Sequence, residues 1–563
     1  MKKCMAKLLC LLLSLMLLAG CAPKEPDTSD TTAPDSSGAA VDLEDNTAAL
    51  TEEALSEIRA LGESPDDNYR TWYEVFVYSY CDSNGDGIGD LAGLTSKLDE
   101  LEALGVNGIW LMPIHPSTSY HKYNVSDYYA IDPSYGTMED FDALIAACES
   151  RGIKVIIDLV LNHTGSEHDW FKQATAYLQT LEDGEEPDAS VCPYVDYYNF
   201  VRSETAPAGY SIVAGTEDWY YESRFSYDMP DLNMASAALR EDLKAVMAFW
   251  LDKGVAGFRL DAAKEFYSGN VEKNLEVLSW IQTTATALDP DCYLVAEVWD
   301  SFTNIAAYYQ SGVTSIFDYA FGNSDGKIVS VLRGAGQSGV VTTYAPALEK
   351  ADAAYRASNP NYIDAPFLTN HDVGRVAGFV GRDELKTKLA GAMNIFMSGS
   401  VFIYYGEEIG MICGDINDPS FRAPMYWNAE RNEGTTDLPP ECVLPDAYIF
   451  GSLEEQRNDD SSIYNYYRQA VAIRNALPVI SHGVTTAETA LNVGCVSAQR
   501  KTWNDEECII LMNIDANAAQ VDLSAYEGWT LAASLSADGT PVTLEGAALS
   551  LGAYGVAVLL PAE

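Results

Sequence analysis

Residues 153–160 read IKVIIDLV. Apart from one lysine and one aspartate the run is apolar, and it does not alternate polar with apolar positions. Such a run suits a parallel strand covered on both faces. Upstream, Phe141, Leu144, Ile145 and Cys148 recur at helical spacing, and Gly152 closes the helix. Before them stands VNGIWLM (106–112), a second buried strand. Further back, Leu94, Leu98, Leu101 and Leu104 mark another helix closed by Gly105, preceded by the strand WYEVFVY (72–78). Downstream the beat stops after His163 for a Tyr-rich stretch, 164–233. It resumes with a helix through Leu239, Leu243, Val246 and Trp250. Strands then follow at VAGFRLD (255–261), YLVAEVW (293–299), SIFDYAF (315–321), DAPFLTN (364–370) and VFIYYGE (401–407). A helix through Leu385, Leu389, Met393 and Phe396 precedes the last of them.

Eight strands alternating with helices predict an α/β fold, a (β/α)8 TIM barrel built from 51–163 and 234–477. Residues 164–233 form an inserted domain after strand 3. Short strand-like runs such as CIILMNI (508–514) and GVAVLLP (555–561) predict a C-terminal antiparallel β-sandwich domain over 478–563.

The N-terminus carries targeting information. Lys2, Lys3 and Lys7 precede an apolar run from Leu8 to Leu18, too short to span a bilayer comfortably. The run ends in Leu18-Ala19-Gly20-Cys21, which resembles the bacterial lipobox. Residues 1–21 are therefore expected to be a lipoprotein signal peptide. Residues 22–50, rich in Asp, Thr, Ser, Pro and Ala, are expected to be a disordered acidic tether. The protein would be extracytoplasmic, held to a bacterial membrane through the N-terminal lipid only. Eight cysteines follow Cys21 without CxxC or zinc-like spacing, so no disulfide framework is inferred. The net charge of -49 argues against nucleic acid and anionic lipid as partners.

A barrel places its chemistry at the C-terminal ends of its strands. Strand four ends in Arg259-Leu260-Asp261, and residues two apart share a face. A guanidinium beside Asp261 is expected to lower its pKa and keep it ionised. Strand five ends in Glu297, strand seven in Asn370-His371-Asp372, and strand three in Asn162-His163. A single Asp after a strand is usually a cap, and a single His usually structural. Six such residues at strand ends are harder to assign to coincidence.

These residues also carry a resemblance. DLVLNH (158–163), GFRLDAAKE (257–265), AEVW around Glu297 and FLTNHD (367–372) look like the four ordered signature regions of the α-amylase family of glycoside hydrolases. MPDLN (229–233) resembles the signature closing that family's inserted domain. The resemblance runs from about Tyr69 to the C-terminus. It implies Asp261 as nucleophile, Glu297 as general acid/base and Asp372 as transition-state stabiliser. Arg259 would partner the nucleophile, His163 and His371 would donate to sugar hydroxyls, and Tyr123 would form the platform under that sugar. Lys264 would bind on the leaving side. MPDLN looks intermediate between the oligo-1,6-glucosidase and neopullulanase forms, and Ala262 resembles α-1,4-acting members. Glu265 and Asn124 depart from the common residues at their positions.

The stretch DSNGDGIGD (82–90) matches the start of an EF-hand loop but has Gly93 where a glutamate belongs. By itself it reads equally as a polar turn. Relatives near the oligo-1,6-glucosidases carry a similar loop that binds calcium or magnesium. By that resemblance Asp82, Asn84, Asp86 and Asp90 would supply side-chain oxygens and Ile88 its carbonyl, for a structural ion. A different calcium site of many amylases could involve Asn162.

The expectation is a retaining endo-acting α-amylase, cutting α-1,4 bonds in starch and maltooligosaccharides by double displacement. The same machinery serves a neopullulanase, an exo-α-glucosidase or a 4-α-glucanotransferase. A non-catalytic glycan-binding surface lipoprotein is the alternative from another class. Its expected mark is a lost carboxylate, and none is lost.

Overall fold

The run at 153–160 lies in the middle of a parallel sheet, as its pattern predicts. The computed structural model describes residues 47–413, 417–444 and 446–562; Cys21, the expected signal peptide and the expected tether up to residue 46 lie outside them. Along the chain, β1 (Thr71–Val75), β2 (Gly108–Leu111) and β3 (Lys154–Leu159) come first. The inserted stretch holds β4 (Phe200–Arg202), β5 (Tyr210–Ile212) and β6 (Trp219–Glu222). Then come β7 (Gly257–Leu260), β8 (Tyr293–Ala296), β9 (Ser315–Ile316) and β10 (Val401–Tyr404).

The parallel order is β10-β1-β2-β3-β7-β8-β9. The expected seventh strand, 364–370, is not a regular strand. It still closes the ring through parallel bridges Phe317↔Ala365 and Phe367↔Phe402. The irregularity has a cause: Pro366 has no N–H to give a ladder. Its carbonyl nevertheless accepts from the Phe402 N–H at 2.8 Å, and the Ala365 carbonyl accepts from the Asp318 N–H at 3.0 Å. The fold is a (β/α)8 TIM barrel.

Aromatic side chains fill the barrel. Trp72 stacks on Tyr293 at 5.2 Å and on Phe402 at 6.0 Å. Gly108 makes room for it: a Cβ there would lie 2.3 Å from the indole. Two residues along β1 from Trp72, on the same face, stands Glu74. It lies level with Trp110 on β2, while Asp158 on β3 lies level with Arg259 on β7. All four are buried, so an apolar floor carries a charged layer above it.

Local signals explain the helices around this frame. Met138–Glu149 starts with a Thr137/Asp140 capping box, Ala237–Asp252 with Ser236, and Glu384–Ile395 with Asp383. The helix expected through Leu94 to Leu104 is two, Leu91–Ser96 and Leu98–Leu104, divided at Lys97. Gly105 ends the second with φ +90°, as its position predicts. WYEVFVY is a strand only to Val75, and Val77–Tyr80 forms a helical turn. A helix, Thr47–Arg59, begins inside the stretch assigned to the tether, so residues 47–50 are helical.

The insert has a helix, Asp169–Leu178, and an antiparallel sheet of order β4-β6-β5. Its return to the barrel is pinned by the bridges His163↔Asp231 and Tyr198↔Leu232. After the short helix Pro478–His482 come β11 (Val484–Ala487), β12 (Val496–Trp503), β13 (Glu506–Asn513), β14 (Ala519–Asp522), β15 (Trp529–Leu535), β16 (Thr543–Glu545), β17 (Ala548–Leu551) and β18 (Val556–Pro561). They form antiparallel sheets ordered β11-β12-β13-β18-β15 and β14-β17-β16, around a separate core that includes Ile509, Leu511, Leu549 and Leu559. No helix among the described residues is long and apolar enough to cross a membrane.

Candidate active site

Arg259 is the hub of the rim. Its side chain is 1% exposed, yet it meets three carboxylates. Nη1 donates to Asp261 Oδ1 at 2.7 Å and to Asp158 at 2.9 and 3.1 Å. Nη2 donates to Glu297 Oε2 at 2.9 Å. Arg259 and Asp261 do share a face, as their spacing predicts. The electrostatic expectation needs correction. Burial pushes the Asp261 carboxyl up, and the pull of Arg259 does not overcome it. The guanidinium is divided between three acids rather than reserved for one. Burial likewise raises Glu297 against the pull of Arg259, with help from Asp261 and Asp372. Asp158, wholly buried, is pushed up to about 7.

The residue after Asp261 is unusual. Ala262 has φ +44°, a left-handed conformation that costs a non-glycine residue about 1–3 kcal/mol. That turn aims its N–H at Glu297 Oε2, 2.9 Å away. Oε2 thus accepts from two donors, while Oε1 has the Tyr319 hydroxyl at 3.5 Å.

The opposite wall is built on His371. Its Nδ1 lies 2.6 Å from Glu74 Oε1, and its Nε2 lies 3.0 Å from Asp372 Oδ2 and 2.6 Å from the Tyr123 hydroxyl. Burial acts to lower this imidazole, but Asp372 and Glu74 lift it to about 9. Asp372 is held far below the usual carboxylate range: burial raises it, and the charges of His371 and Arg422 outweigh that. Arg422 donates to Asp372 Oδ1 at 2.8 Å, to the His371 carbonyl at 2.9 Å and to the Tyr120 hydroxyl at 2.8 Å. The Tyr123 ring stacks against His371 at 5.5 Å. His163 is neutral, its pKa lowered to about 4 by burial. Asn162 approaches its Nδ1 at 3.4 Å, and its buried Nε2 has no protein partner.

Part of this set lines an open cleft of about 810 Å³, while Arg259, Asp158, Glu74 and His371 are not in its lining. Asp261, Glu297 and Asp372 lie along it, with Tyr123 and His163. Lys264, Glu265 and Trp299 flank it on the β8 side, Phe225 and Met229 come from the insert, and His121, Asp418 and Arg422 complete the wall. Lys264 is tied to the Trp299 carbonyl at 2.6 Å and lies 3.7 Å from Asp300.

A model of the alpha amylase catalytic domain matches residues 74–483. The chain belongs to the alpha-amylase family. Among its relatives, Alpha-amylase 3 of Dictyoglomus thermophilum is 37% identical over 450 residues, covering 79% of this chain and 84% of that protein. A solved structure, Eubacterium rectale Amy13B, superposes with a TM-score of 0.86 at 44% identity, covering 91% of this chain and 99% of that one. A glucan 1,6-alpha-glucosidase of Streptococcus pneumoniae is 30% identical, over 71% of this chain and 83% of that protein. The protein is a glycoside hydrolase of the alpha-amylase family.

Three buried charges of this site receive no role from the resemblance: Glu74, Asp158, which opens the DLVLNH signature, and Arg422. The first two had a signal. Each is an acid inside an otherwise apolar barrel strand, and the same-face rule that pairs Arg259 with Asp261 also points them inward. Arg422 had none, because it stands just after the short helix Asp418–Phe421, beyond the last barrel strand and outside the strand-end pattern.

The loop 82–90 is folded around its own acids. Asp82 accepts from the N–H groups of Asn84, Gly85 and Gly87 at 2.7–3.0 Å. Asn84 accepts from Asp86 N–H, and Asp86 from Ile88 N–H. Asp90 is buried and caps the next helix through Gly93 N–H at 2.6 Å, while also holding Ser83. Among the described residues no three His, Cys, Asp or Glu side chains gather closely enough to hold a metal ion. The loop's donors are all hard oxygens, the chemistry that suits calcium or magnesium. An ion here must therefore also draw on the Asn84 amide and the Ile88 carbonyl.

Proposed function

We propose that this protein is a retaining, endo-acting hydrolase of α-1,4-glucosidic bonds in starch and maltodextrins. The observation that supports the reading is three carboxylates, Asp261, Glu297 and Asp372, lining one open cleft of about 810 Å³. A chain can lie through such a cleft, whereas an exo enzyme needs a closed end. Asp261 is the nucleophile. Arg259 holds its Oδ1 and leaves the other oxygen to attack the anomeric carbon. Glu297, its carboxyl raised by burial and by the neighbouring acids against the pull of Arg259, is the general acid that gives a proton from Oε1 to the leaving oxygen and later takes one from water. Asp372 stays ionised and faces the positive charge that develops on the sugar. His163 Nε2 is placed to bind a hydroxyl beside Tyr123 and Lys264 to bind on the leaving side, whereas His371, buried with both ring nitrogens taken by Glu74, Asp372 and Tyr123, acts through Asp372 rather than on the sugar directly.

The Streptococcus pneumoniae relative, named a glucan 1,6-alpha-glucosidase, favours a second reading, an α-glucosidase on the same machinery. A time course of products from amylose, pullulan and a short maltooligosaccharide separates the readings. Early mixed maltooligosaccharides support endo cleavage. Glucose alone means exo action, and products longer than the substrate mean transfer. Asp261→Asn and Glu297→Gln should each abolish turnover by several powers of ten, about 5 kcal/mol or more of barrier, with the fold intact.

Two further parts belong to this reading. The loop 82–90 holds a structural calcium ion through side-chain oxygens of Asp82, Asn84, Asp86 and Asp90 and the Ile88 carbonyl. Lipidation at Cys21 places the enzyme outside the cell on a bacterial membrane, where polymeric substrate is met.

A further inference from the structure

Glu74 takes no part in the three-carboxylate scheme, yet it is a buried acid on the first barrel strand, 1% exposed, 2.6 Å from His371 Nδ1. The ring is hemmed in by acceptors. Glu74 Oε1 faces one nitrogen, and Asp372 Oδ2 and the Tyr123 oxygen both face the other. Tyr123 gives its own hydrogen to Asp158 Oδ2 at 3.1 Å, and Asp158 in turn accepts from Arg259. With a neutral ring, one nitrogen lone pair would point at a carboxylate, unless Glu74, whose carboxyl burial raises, kept its own proton and gave it to Nδ1, or Tyr123 withdrew its hydrogen from Asp158. With both nitrogens protonated every contact is a donor meeting an acceptor.

We propose that Glu74 is a positioning residue that holds His371 as a doubly protonated imidazolium, and thereby keeps Asp372 ionised and the Tyr123–Asp158–Arg259 chain in register. The kinetic arm of its test rests on the hydrolase reading above. The other groups acting on this ring and its partners are Asp158 and Asp261 on the nucleophile side, Arg259, Arg422 at the His371 carbonyl, and His121. Trp110 supplies an edge contact at 5.7 Å. Burial favours the neutral ring and is outweighed by Asp372 and Glu74. Removing the charge of Glu74 while keeping an acceptor in place should therefore let His371 lose its proton at lower pH.

The full chain labelled with 15N-histidine tests this. The chain has six histidines, and the His371 signals are those lost in His371→Gln. In the parent, both ring nitrogens of His371 are expected to be protonated at neutral pH and to titrate together in the alkaline range. In Glu74→Gln the midpoint should fall by about one pH unit or more. The alkaline limb of kcat/KM, which Glu297 as general acid sets in the parent, should become steeper in Glu74→Gln as His371 titrates into it, while the acid limb stays put. Glu74→Asp keeps the charge and should recover part of the shift. A neutral His371 in the parent at neutral pH overturns the proposal, even if Glu74→Gln does not fold. So does a His371 midpoint and alkaline limb unchanged in a folded Glu74→Gln. A chain without hydrolytic activity defeats the functional reading instead, and leaves the nuclear resonance result to stand on its own.

Discussion

Replacing Arg422 with leucine tests whether the wall carrying Asp372 is held from outside the signature regions. The side chain makes three hydrogen bonds, to the Asp372 carboxylate, the His371 carbonyl and the Tyr120 hydroxyl, at 2.8–2.9 Å. Bonds with a charged partner contribute about 1.5–3 kcal/mol each, so their simple sum is an upper limit. Asp372 is 28% exposed, so water can replace the lost donor there. It cannot readily do so at the His371 carbonyl, whose residue is fully buried. A net stability loss of about 2–4 kcal/mol follows. The effect on catalysis is separable from it. His371 still keeps Asp372 ionised, but the carboxylate loses one of its two anchors. A drop in kcat/KM of about a hundredfold, or ~2.7 kcal/mol of transition-state stabilisation, is expected. Steady-state rates on a chromogenic maltooligosaccharide, with melting followed by circular dichroism, measure both. Arg422→Lys should recover part of the rate. A folded Arg422→Leu variant within twofold of the parent in kcat/KM would sink this account of the wall.

Glu407 lies buried between Thr369, at 2.8 Å, and Tyr467, at 3.4 Å, and burial raises its pKa from 4.5 to about 8. A carboxyl raised on folding contributes stability below its unfolded value that is lost as pH climbs to the folded one. Between about pH 4.5 and 8, melting of the parent should therefore decline relative to Glu407→Gln; parallel curves would refute the buried neutral acid. Chelation, or Asp86→Ala, should lower the melting temperature by a few degrees, because an ion at a hundred times its dissociation constant stabilises by about 2.7 kcal/mol. Turnover measured well below that temperature should hardly change, and a chelated enzyme that stays folded yet inactive would place the ion in the reaction instead. Detergent partitioning of the parent against Cys21→Ala tests the anchor: the parent alone should enter the detergent phase.

The barrel was legible because its strands are long apolar runs between helices with ordinary caps. IKVIIDLV and its neighbours have few other places to go. The seventh stave was only half legible. DAPFLTN has the composition of a strand, but Pro366 denies it a ladder and leaves two isolated bridges. The strand-end residues were legible because strand period and barrel geometry together send them to one rim. Their ionisation was not. A pairwise view gives Arg259 to Asp261, whereas the folded site makes Asp158 and Glu297 compete for the same guanidinium. No local pattern announces a contact between residues as distant as Glu74 and His371, or a wall residue such as Arg422 delivered from beyond the last barrel strand.

The inserted stretch leaves the barrel after His163 and returns at Asp231, and those two residues face each other across an antiparallel bridge. Exit and re-entry are therefore one place on the barrel. A segment tethered at a single point can lengthen, shorten or be exchanged without moving the staves on either side, since the entropy of closing it grows only slowly with its length. Phe225 and Met229 ride on that segment and line the cleft. Lineages sharing this barrel can thus trade one wall of the cleft as a cassette, reshaping which glucans are admitted while inheriting the acids unchanged.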